Sequence, residues 1–259
     1  MQTELISQFQ PEPEALKGKS ILITGAAGGL GSSIARSISA LGGDLILLDN
    51  NERGLNAIHD ELEASSGTQP GLYPLDLAGA SVDDYALLAE TITDVFGKLD
   101  GLIHCAANLG QITPVSAINA KLWQKTFTVN LHGPVLLTQA VLPIMKASGN
   151  AKIIFTLDSK VRAYWGAYAI SKAATVAMVQ TLSDELDADR NTDNTMYITC
   201  NGIDPGKMRT SIRSSAYPGE DPSTVPPPTE KTAAYLYLLC SDSKQVLSLI
   251  HISEPTRPY

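Results

Sequence analysis

The sequence predicts a single-domain α/β fold built on a doubly wound parallel sheet, and three observations lead to this prediction. Between residues 20 and 200, short runs of β-branched and apolar residues alternate with longer segments of helical period, which is the order expected of βαβ units. The short runs are apolar throughout, as in strands that are covered on both faces. A glycine-rich turn joins the first strand directly to the first helix.

The individual elements follow from these patterns in chain order. Apolar runs predict six strands, at residues 20–24, 44–49, 71–75, 99–105, 151–156 and 195–200. Apolar residues at three- and four-residue intervals predict the crossover helices between them, at residues 29–41, 52–65, 81–96, 120–146 and 165–188. A proline-rich loop at 217–228 and a further helical pattern at 229–240 complete the prediction.

The two ends of the chain differ from the rest of it. Residues 1–17 are polar and contain two prolines, so we expect a mobile N-terminal arm, followed by one domain over residues 18–246. Residues 247–259 break the preceding pattern and resemble the translation of a transposase-type sequencing adapter. We therefore predict a non-native tail there, with a native amphipathic tail as the alternative.

Composition excludes several classes of protein. The chain carries 27 acidic against 19 basic residues, a formal net charge of −8, which argues against a nucleic-acid partner. No apolar run reaches the roughly 20 residues that span a bilayer, and the first residues lack the order of a secretion signal, so we expect a cytoplasmic protein without a membrane partner. Because Cys105, Cys200 and Cys240 show no CxxC spacing, buried thiols are expected rather than disulfides or a metal site.

The glycine-rich turn predicts a site for a dinucleotide. Gly25 permits a tight exit from the first strand, Gly29 lets the backbone approach a diphosphate, and Gly31 allows the helix to pack closely on the sheet. The helix N-terminus supplies N–H groups to the phosphates, and Thr24 and Leu30 complete the set of binding residues in this turn. This is the arrangement of a Rossmann fold, and a plain strand-to-helix turn is the alternative.

Two carboxylates follow the next two strands and bear on the choice of cofactor. Asp49 ends the second strand about 20 residues beyond the turn, where it can accept hydrogen bonds from the adenosine ribose and repel a 2′-phosphate. The sequence therefore predicts NAD rather than NADP, although Arg53 lies nearby. Asp76 is a candidate adenine contact. The alternatives are a helix cap for Asp49 and a turn or cap for Asp76.

A tyrosine and a lysine predict acid/base chemistry. Tyr168 and Lys172 are four residues apart and therefore share one face of a helix. A phenol with a pKa near 10 is a poor base at neutral pH, and a neighbouring ammonium is expected to lower that pKa toward a useful range. The alternative is an ordinary surface pair.

The order of the glycine turn, Asn130, the Tyr168–Lys172 pair and Pro205–Gly206 resembles the short-chain dehydrogenase/reductase family. The resemblance covers about residues 19–243, and residues 164–168 and 204–222 are most similar to its bacterial YciK-type members. It implies an oxidoreductase that moves hydride between NAD(P) and a carbonyl or secondary alcohol, with Tyr168 exchanging the proton at the substrate oxygen and Lys172 also binding the nicotinamide ribose.

The same resemblance assigns further residues. It implies that Asn130 bends its helix and positions a water, that Thr210 contacts the nicotinamide carboxamide, and that Pro205 and Gly206 face the ring. Ala106, in the segment after the fourth strand, is a further cofactor contact. A satisfied buried amide for Asn130 and a helix cap for Thr210 are the alternatives.

The sequence departs from the family pattern in three places. The family serine that bonds the substrate oxygen is not in register, and we favour Ser159 for its role, with Asp158 next. Cys105 stands where an amide is usual. The adapter-like tail replaces the last segment, so we expect the sheet to lack the seventh strand and the chain to form a homo-oligomer through the helices that carry Asn130 and Tyr168.

The sequence thus predicts an NAD-preferring oxidoreductase acting on a small carbonyl compound or alcohol. Arg209, Arg213 and Tyr217 in the loop at 207–228 suggest a polar or anionic substrate, unless the arginines are only solvated. The alternative function is a dinucleotide-binding sensor or scaffold with little turnover, which the displaced serine would favour.

Overall fold

Seven parallel strands form one sheet in the order β3-β2-β1-β4-β5-β6-β7. A computed structural model describes residues 9–158, 162–192, 197–240 and 250–252. Within these residues the strands are β1 Ser20–Thr24, β2 Asp44–Asp49, β3 Gly71–Pro74, β4 Gly101–His104, β5 Asn150–Thr156, β6 Tyr197–Asp204 and β7 Ile250–Ile252. The strand order reverses between β1 and β4, and in such sheets ligands bind at the carboxyl ends of the strands beside that switch point.

Helices cover both faces of the sheet. They are α1 Gly29–Ser39, α2 Glu52–Ser66, α3 Val82–Phe96, α4 Ala120–Phe127, α5 Gly133–Ser148, α6 Gly166–Thr192, α7 Ser211–Ala216 and α8 Ala233–Cys240. Buried side chains of α1, α2 and α8 form the core on one face, and those of α3, α5 and α6 form the core on the other. The strands are buried from both sides, which explains their uniformly apolar sequences.

The predicted fold class and the six predicted strands are confirmed, and the main difference lies in the helix predicted over residues 120–146. This helix divides at a π-helical turn, Thr128–His132. Pro134 has no N–H to donate to the Asn130 carbonyl four residues earlier, and the Thr175 hydroxyl of α6 donates to that carbonyl instead, at 3.3 Å. Asn130 therefore does lie at an irregularity of its helix, as expected.

The expected lack of a seventh strand is wrong. β7 pairs with the outer edge of β6, with Gly202, Ile203 and Asp204 opposite residues 250–252. Without it, this length of β6 would present an unpaired row of backbone N–H and C=O groups. The non-native origin of residues 247–259 remains a prediction.

Part of the predicted N-terminal arm contacts the domain. Leu16 is 2% exposed, its N–H donates to the Leu41 carbonyl, and the Phe9 ring meets Tyr237 of α8 edge-on at 5.3 Å between centroids. Phe9 and Leu16 thus pack on the same face of the sheet as α1 and α8.

One helical stretch among the described residues, Ala120–Ser148, is long and apolar enough to cross a membrane when judged by length and composition. Core helices meet the same criteria, and Leu137, Val141 and Met145 of this stretch are fully buried against the sheet.

Candidate active site

A cleft of about 310 Å³ opens at the carboxyl ends of the strands, where the strand order reverses. Most of the residues predicted to bind cofactor or to act in catalysis line it: Gly25, Gly29, Leu30, Gly31, Asp49, Asp76, Ala106, Tyr168, Lys172, Pro205, Gly206 and Thr210. Thr24 and Asn130 lie behind its wall, each at most 2% exposed. Ser159, the favoured candidate for the serine role, lies outside the described residues.

The glycine turn has the tight geometry that its sequence predicts. Gly25 adopts a φ of +67°, and a Cβ there would lie 2.7 Å from the backbone of Ala106. A Cβ on Gly31 would clash with the Gly25 carbonyl oxygen. The Thr24 hydroxyl accepts from the N–H groups of Cys105 and Ala106, both at 3.2 Å, so Thr24 fixes the adjacent segment after β4 and does not reach the cleft.

The start of α1 fits a diphosphate. Its N-cap residue, Gly28, provides no side-chain cap, so the first N–H groups of the helix are left to a ligand. At Gly29, a Cβ would meet the side chains of Thr210 and Pro228, at 3.4 Å, and the backbone carbonyl oxygen of Arg209, at 3.8 Å. These are ordinary van der Waals distances, and Gly29 itself lines the cleft.

Asp49 and Asp76 stand beside this turn. The Asp49 carboxylate accepts from the N–H of Ala27 at 3.0 Å and from that of Asn51 at 2.9 Å. The alternative that Asp49 caps α2 is wrong, because the cap is Asn51. Asp76 accepts from the N–H of Ala78 and so forms a turn while also lining the cleft. We call the glycine turn with Asp49 and Asp76 the dinucleotide end.

The opposite end of the cleft, which we call the chemical end, contains Asp158, Tyr168, Lys172 and Asp204. The Tyr168 hydroxyl donates to Oδ2 of Asp158 at 3.2 Å. Burial raises the pKa of Tyr168 well above 10, and the charge of Asp158 raises it further. The expectation of a lowered pKa for Tyr168 is therefore wrong, because burial and the adjacent carboxylate both raise it.

Lys172 is part of the buried site rather than a surface residue. It is 4% exposed, and its Nζ donates to the Thr156 carbonyl at 2.8 Å and lies 6.0 Å from the centroid of the Tyr168 ring. Burial lowers the pKa of the Lys172 ammonium, and Asp158, Cys105 and Asp204 oppose that shift. The alternative of an ordinary surface pair is wrong.

Asn130 joins three elements behind the cleft. Its amide nitrogen donates to the Asn108 carbonyl at 3.0 Å and to the Ser171 hydroxyl at 2.9 Å, and its oxygen accepts from the Asn108 N–H at 2.7 Å. The side chain is therefore a satisfied buried amide, which was the alternative, and its role with a water remains a prediction.

The segment after β6 closes the chemical end. Gly206 has a φ of +71°, and its N–H donates to Asp204 at 2.9 Å. The Thr210 hydroxyl caps α7 by accepting from the Arg213 N–H, which confirms the helix-cap alternative. Thr210 also lines the cleft, and its contact with the nicotinamide carboxamide remains a prediction.

The expected preference for an anionic substrate loses its support at Arg213. This guanidinium forms two 2.6 Å hydrogen bonds with Glu220 and lies 3.8 Å from the centroid of the Tyr217 ring. Its charge is therefore compensated within the loop.

Several cleft residues were not predicted. Asn108 contacts the Asn130 amide, Asp204 is 7% exposed beside the cleft, and Trp165 lies between Tyr168 and Tyr217 at 5.7 and 5.8 Å between ring centroids. Asp204 could have been predicted from its position directly before Pro205. Trp165 had no signal beyond its closeness to Tyr168 in sequence.

Cys105 and His104 lie beside Lys172 without being reactive groups. Burial raises the pKa of the Cys105 thiol to about 12, and burial, with the charge of Lys172, lowers the pKa of His104 to about 3. Both are therefore neutral near pH 7. Among the described residues there is no cluster of three or more metal-ligating side chains.

Comparison with known proteins gives consistent matches along the chain. A family model of the short chain dehydrogenases matches residues 19–221. The uncharacterised oxidoreductase YciK of Escherichia coli K12 is 35% identical over 96% of this chain and 97% of its own length. A short chain dehydrogenase structure from Pseudomonas syringae is 37% identical with a TM-score of 0.89, over 95% of this chain and 99% of that one. One from Escherichia coli CFT073, in complex with NADPH, is 35% identical with a TM-score of 0.88, over 95% of this chain and all of that one.

Proposed function

The chain belongs to the short chain dehydrogenase family, and from that premise we propose that it transfers hydride between NAD and a small secondary alcohol or carbonyl compound, with Tyr168 as the acid/base group. Membership makes it an oxidoreductase of CH–OH or C=O groups with a nicotinamide cofactor. The choice of NAD, the role of Tyr168 and the substrate class are our proposal.

One observation supports this proposal: a single cleft contains both the uncapped start of α1 and a buried phenol. The uncapped N–H groups of α1 lie at the dinucleotide end, and the Tyr168 hydroxyl lies at the chemical end. A dinucleotide whose phosphates lie at α1 would extend along the cleft toward Tyr168. Bound there, the nicotinamide supplies the hydride chemistry.

The residues of the chain supply orientation and proton handling. Tyr168 holds its proton at the hydroxyl oxygen, next to the position where a substrate oxygen would lie. Lys172 carries a buried charge, which the Thr156 carbonyl fixes in place. Tyr168 and Lys172 are at most 5% exposed, and electrostatic interactions between buried groups are stronger than those in water.

The preference for NAD depends on Asp49. Its carboxylate lines the dinucleotide end, where a 2′-phosphate would bring a second negative charge close to it. Arg53, the cationic residue four positions after Asp49, does not line the cleft, whose cationic lining residues are Lys125, Lys172, Lys207 and Arg213. The Escherichia coli CFT073 relative was crystallised with NADPH, which goes against a preference for NAD, so this part of the proposal depends on Asp49 alone.

Fluorescence titrations with NADH and NADPH test this choice. We expect saturable enhancement of the nicotinamide emission with both and tighter binding of NADH. Tighter binding of NADPH would contradict the preference, and binding of neither would contradict the site.

A comparison with Tyr168→Phe tests the chemistry. With a panel of secondary alcohols and ketones, we expect the variant to lose about 100-fold or more in turnover while it binds NADH normally. If the wild-type protein and the variant turn over the panel equally, Tyr168 is not the acid/base group. A sensor or scaffold would bind NADH and turn over none of the panel.

We also propose assembly into a homo-oligomer through α4, α5 and α6. Leu122, Val135 and Ile170 are large apolar residues on these helices that remain exposed, and Ile170 lies two residues from Tyr168. Light scattering coupled to size exclusion is expected to give at least a dimer, and Leu122→Glu with Val135→Glu to reduce it to monomers. A monomeric wild-type protein would contradict this proposal.

A further inference from the structure

The hydrogen of the Tyr168 hydroxyl is directed at a carboxylate. Asp158 lies two residues beyond the end of β5, lines the cleft and accepts this hydrogen at Oδ2, 3.2 Å from the hydroxyl oxygen. Lys172 is directed elsewhere, because its Nζ donates to the Thr156 carbonyl. The immediate partner of the phenol is therefore an acid rather than the ammonium predicted from the sequence.

We propose that Asp158 is the proton acceptor behind Tyr168, and that the site is consequently set to oxidise an alcohol at neutral pH rather than to reduce a carbonyl. This inference rests on the proposed function. It assigns Asp158 a role that acts through Tyr168 and adds a direction to the reaction.

The hydrogen-bonding capacity of the pair selects the alcohol. An ionised carboxylate only accepts hydrogen bonds, and a phenol has a single hydrogen to donate. With that hydrogen directed at Asp158, the Tyr168 oxygen presents lone pairs to the substrate. An alcohol O–H can donate to them, whereas a carbonyl oxygen has no hydrogen and would meet an acceptor.

The proposed step balances in atoms and electrons. The C–H bond of the alcohol breaks, and its electron pair leaves as the hydride that the nicotinamide takes up. The hydroxyl proton moves to the Tyr168 oxygen, the Tyr168 proton moves to Oδ2 of Asp158, and the second carbon–oxygen bond forms. Asp158 then releases its proton to solvent. The reverse reaction requires a protonated Asp158 at the start.

The charges around the pair fit an acceptor. Lys172 of α6, a cationic side chain, and Asp204 at the end of β6, an acidic one, line the same cleft as Asp158. Cys105 after β4 is neutral, because burial raises its pKa to about 12. Aspartates in water have a pKa of about 3.9, against about 10 for tyrosines. In water at neutral pH an aspartate is therefore ionised and can accept a proton, whereas a phenol keeps its own proton.

Asp158→Asn tests this inference, because an amide retains the shape but cannot take up the proton. The probes are 1-phenylethanol with acetophenone, cyclohexanol with cyclohexanone, and 2,3-butanediol with acetoin. In the NAD-loaded variant we expect alcohol oxidation at pH 7 to fall by about 100-fold, its pH profile to move to higher pH, and ketone reduction to fall less. Equal losses in both directions with an unchanged pH profile would overturn the inference.

A second measurement needs no substrate. Tyrosinate absorbance of the wild-type protein minus that of Tyr168→Phe reports the ionisation of Tyr168. Asp158→Asn and Asp158→Ser are both expected to move this titration to lower pH, and Asp184→Asn, which removes an exposed charge of α6, is expected to leave it unchanged. An unchanged titration in both Asp158 variants would overturn the inference.

The two proposals fail in different ways. Loss of NADH binding, or full turnover by Tyr168→Phe, contradicts the proposed function itself. An inactive Tyr168→Phe protein together with Asp158 variants that titrate and react as the wild type does contradicts the role of Asp158 alone. Melting temperatures of all the variants identify any loss of folding, and Asp158→Ser keeps the test available if the amide is not tolerated.

Discussion

The dinucleotide end and the chemical end of the cleft are built by different physical means. At the first, backbone geometry dominates: Gly25 has a positive φ, Gly31 contacts the strand exit, and α1 begins with uncapped N–H groups. At the second, ionisable side chains dominate: Tyr168 and Lys172 are at most 5% exposed and share a cavity with Asp158. Variants should therefore act through packing at one end and through protonation at the other.

The largest expected effect is the acid sensitivity of His104, beneath the chemical end. Burial and the charge of Lys172 depress its pKa to about 3 in the folded protein, against about 6.5 when unfolded. Between these values the unfolded chain binds a proton that the folded chain does not, so stability falls as the pH falls. The slope is about 1.4 kcal/mol per pH unit, or about 3 kcal/mol between pH 6.5 and pH 4.

His104→Gln provides the matched comparison, since its amide can keep a hydrogen bond to Thr138, which His104 contacts at 3.0 Å. Urea unfolding at pH 7 and pH 4 is expected to show a smaller loss of stability in the variant than in the wild-type protein. Equal losses would show that His104 does not contribute to the acid sensitivity of the fold. The proposed dominance of ionisable side chains at the chemical end would then lose support.

The next effect belongs to the dinucleotide end. Gly31→Ala is expected to lower the free energy of unfolding by about 1–3 kcal/mol, because its Cβ would clash with the Gly25 carbonyl. NADH affinity is expected to fall roughly 10- to 100-fold, which corresponds to a similar free energy. Gly79→Ala is the control, since a Cβ there meets nothing within 4 Å. Comparable behaviour of the two variants in urea unfolding and NADH titration would contradict the packing account.

This difference also explains what could be predicted from sequence. The roles of Gly25 and Gly31 depend on local backbone geometry, which strand-turn-helix patterns specify, and both are confirmed as packing positions. The division of the 120–146 helix at Asn130 required knowing that Thr175 of α6 supplies the donor that Pro134 lacks. β7 was missed because a three-residue strand has no periodicity of its own and depends on the edge of β6.

Prediction was weakest for the hydrogen-bond partners and pKa values of the residues at the chemical end. The spacing of Tyr168 and Lys172 correctly placed both in one site, but the sequence could not show that Asp158 is nearer to the hydroxyl or that burial dominates its pKa. These quantities depend on contacts between β5 and α6, which no local pattern encodes. The same limit applies to Arg213, whose pairing with Glu220 depends on how its loop folds.

A smaller change sharpens the description of the dinucleotide end. Asp49→Ala removes one negative charge and is expected to raise the affinity for NADPH relative to NADH by about tenfold, roughly 1.4 kcal/mol. Because Asp49 also accepts from Ala27 and Asn51, Asp49→Asn is the matched variant, which keeps an acceptor without the charge. An unchanged ratio of the two affinities in both variants would remove Asp49 from cofactor selection.

The smallest effect is expected at an ion pair between α1 and α2, outside the cleft. Arg36 and Glu61 are 2.6 Å apart but roughly 40–50% exposed, and such pairs contribute about 0–1 kcal/mol. The hydrogen bond from Arg36 lowers the pKa of Glu61, so this contribution is lost as the pH falls through that pKa. Glu61→Gln should change urea unfolding by less than about 1 kcal/mol and leave NADH binding unchanged. A larger loss of stability would mean that surface charge, as well as the packing of the glycine turn, stabilises the α1–α2 region next to the dinucleotide end.

The most direct test of the central claim is whether one dinucleotide reaches both ends of the cleft. Trp165 lines the chemical end, and Trp123→Phe leaves it as the only tryptophan of the chain. In that variant, NADH is expected to quench the Trp165 emission, whereas ADP-ribose, which lacks the nicotinamide, should compete with NADH but quench far less. Equal quenching by the two ligands, or none by NADH, would contradict the placement of the nicotinamide beside Tyr168.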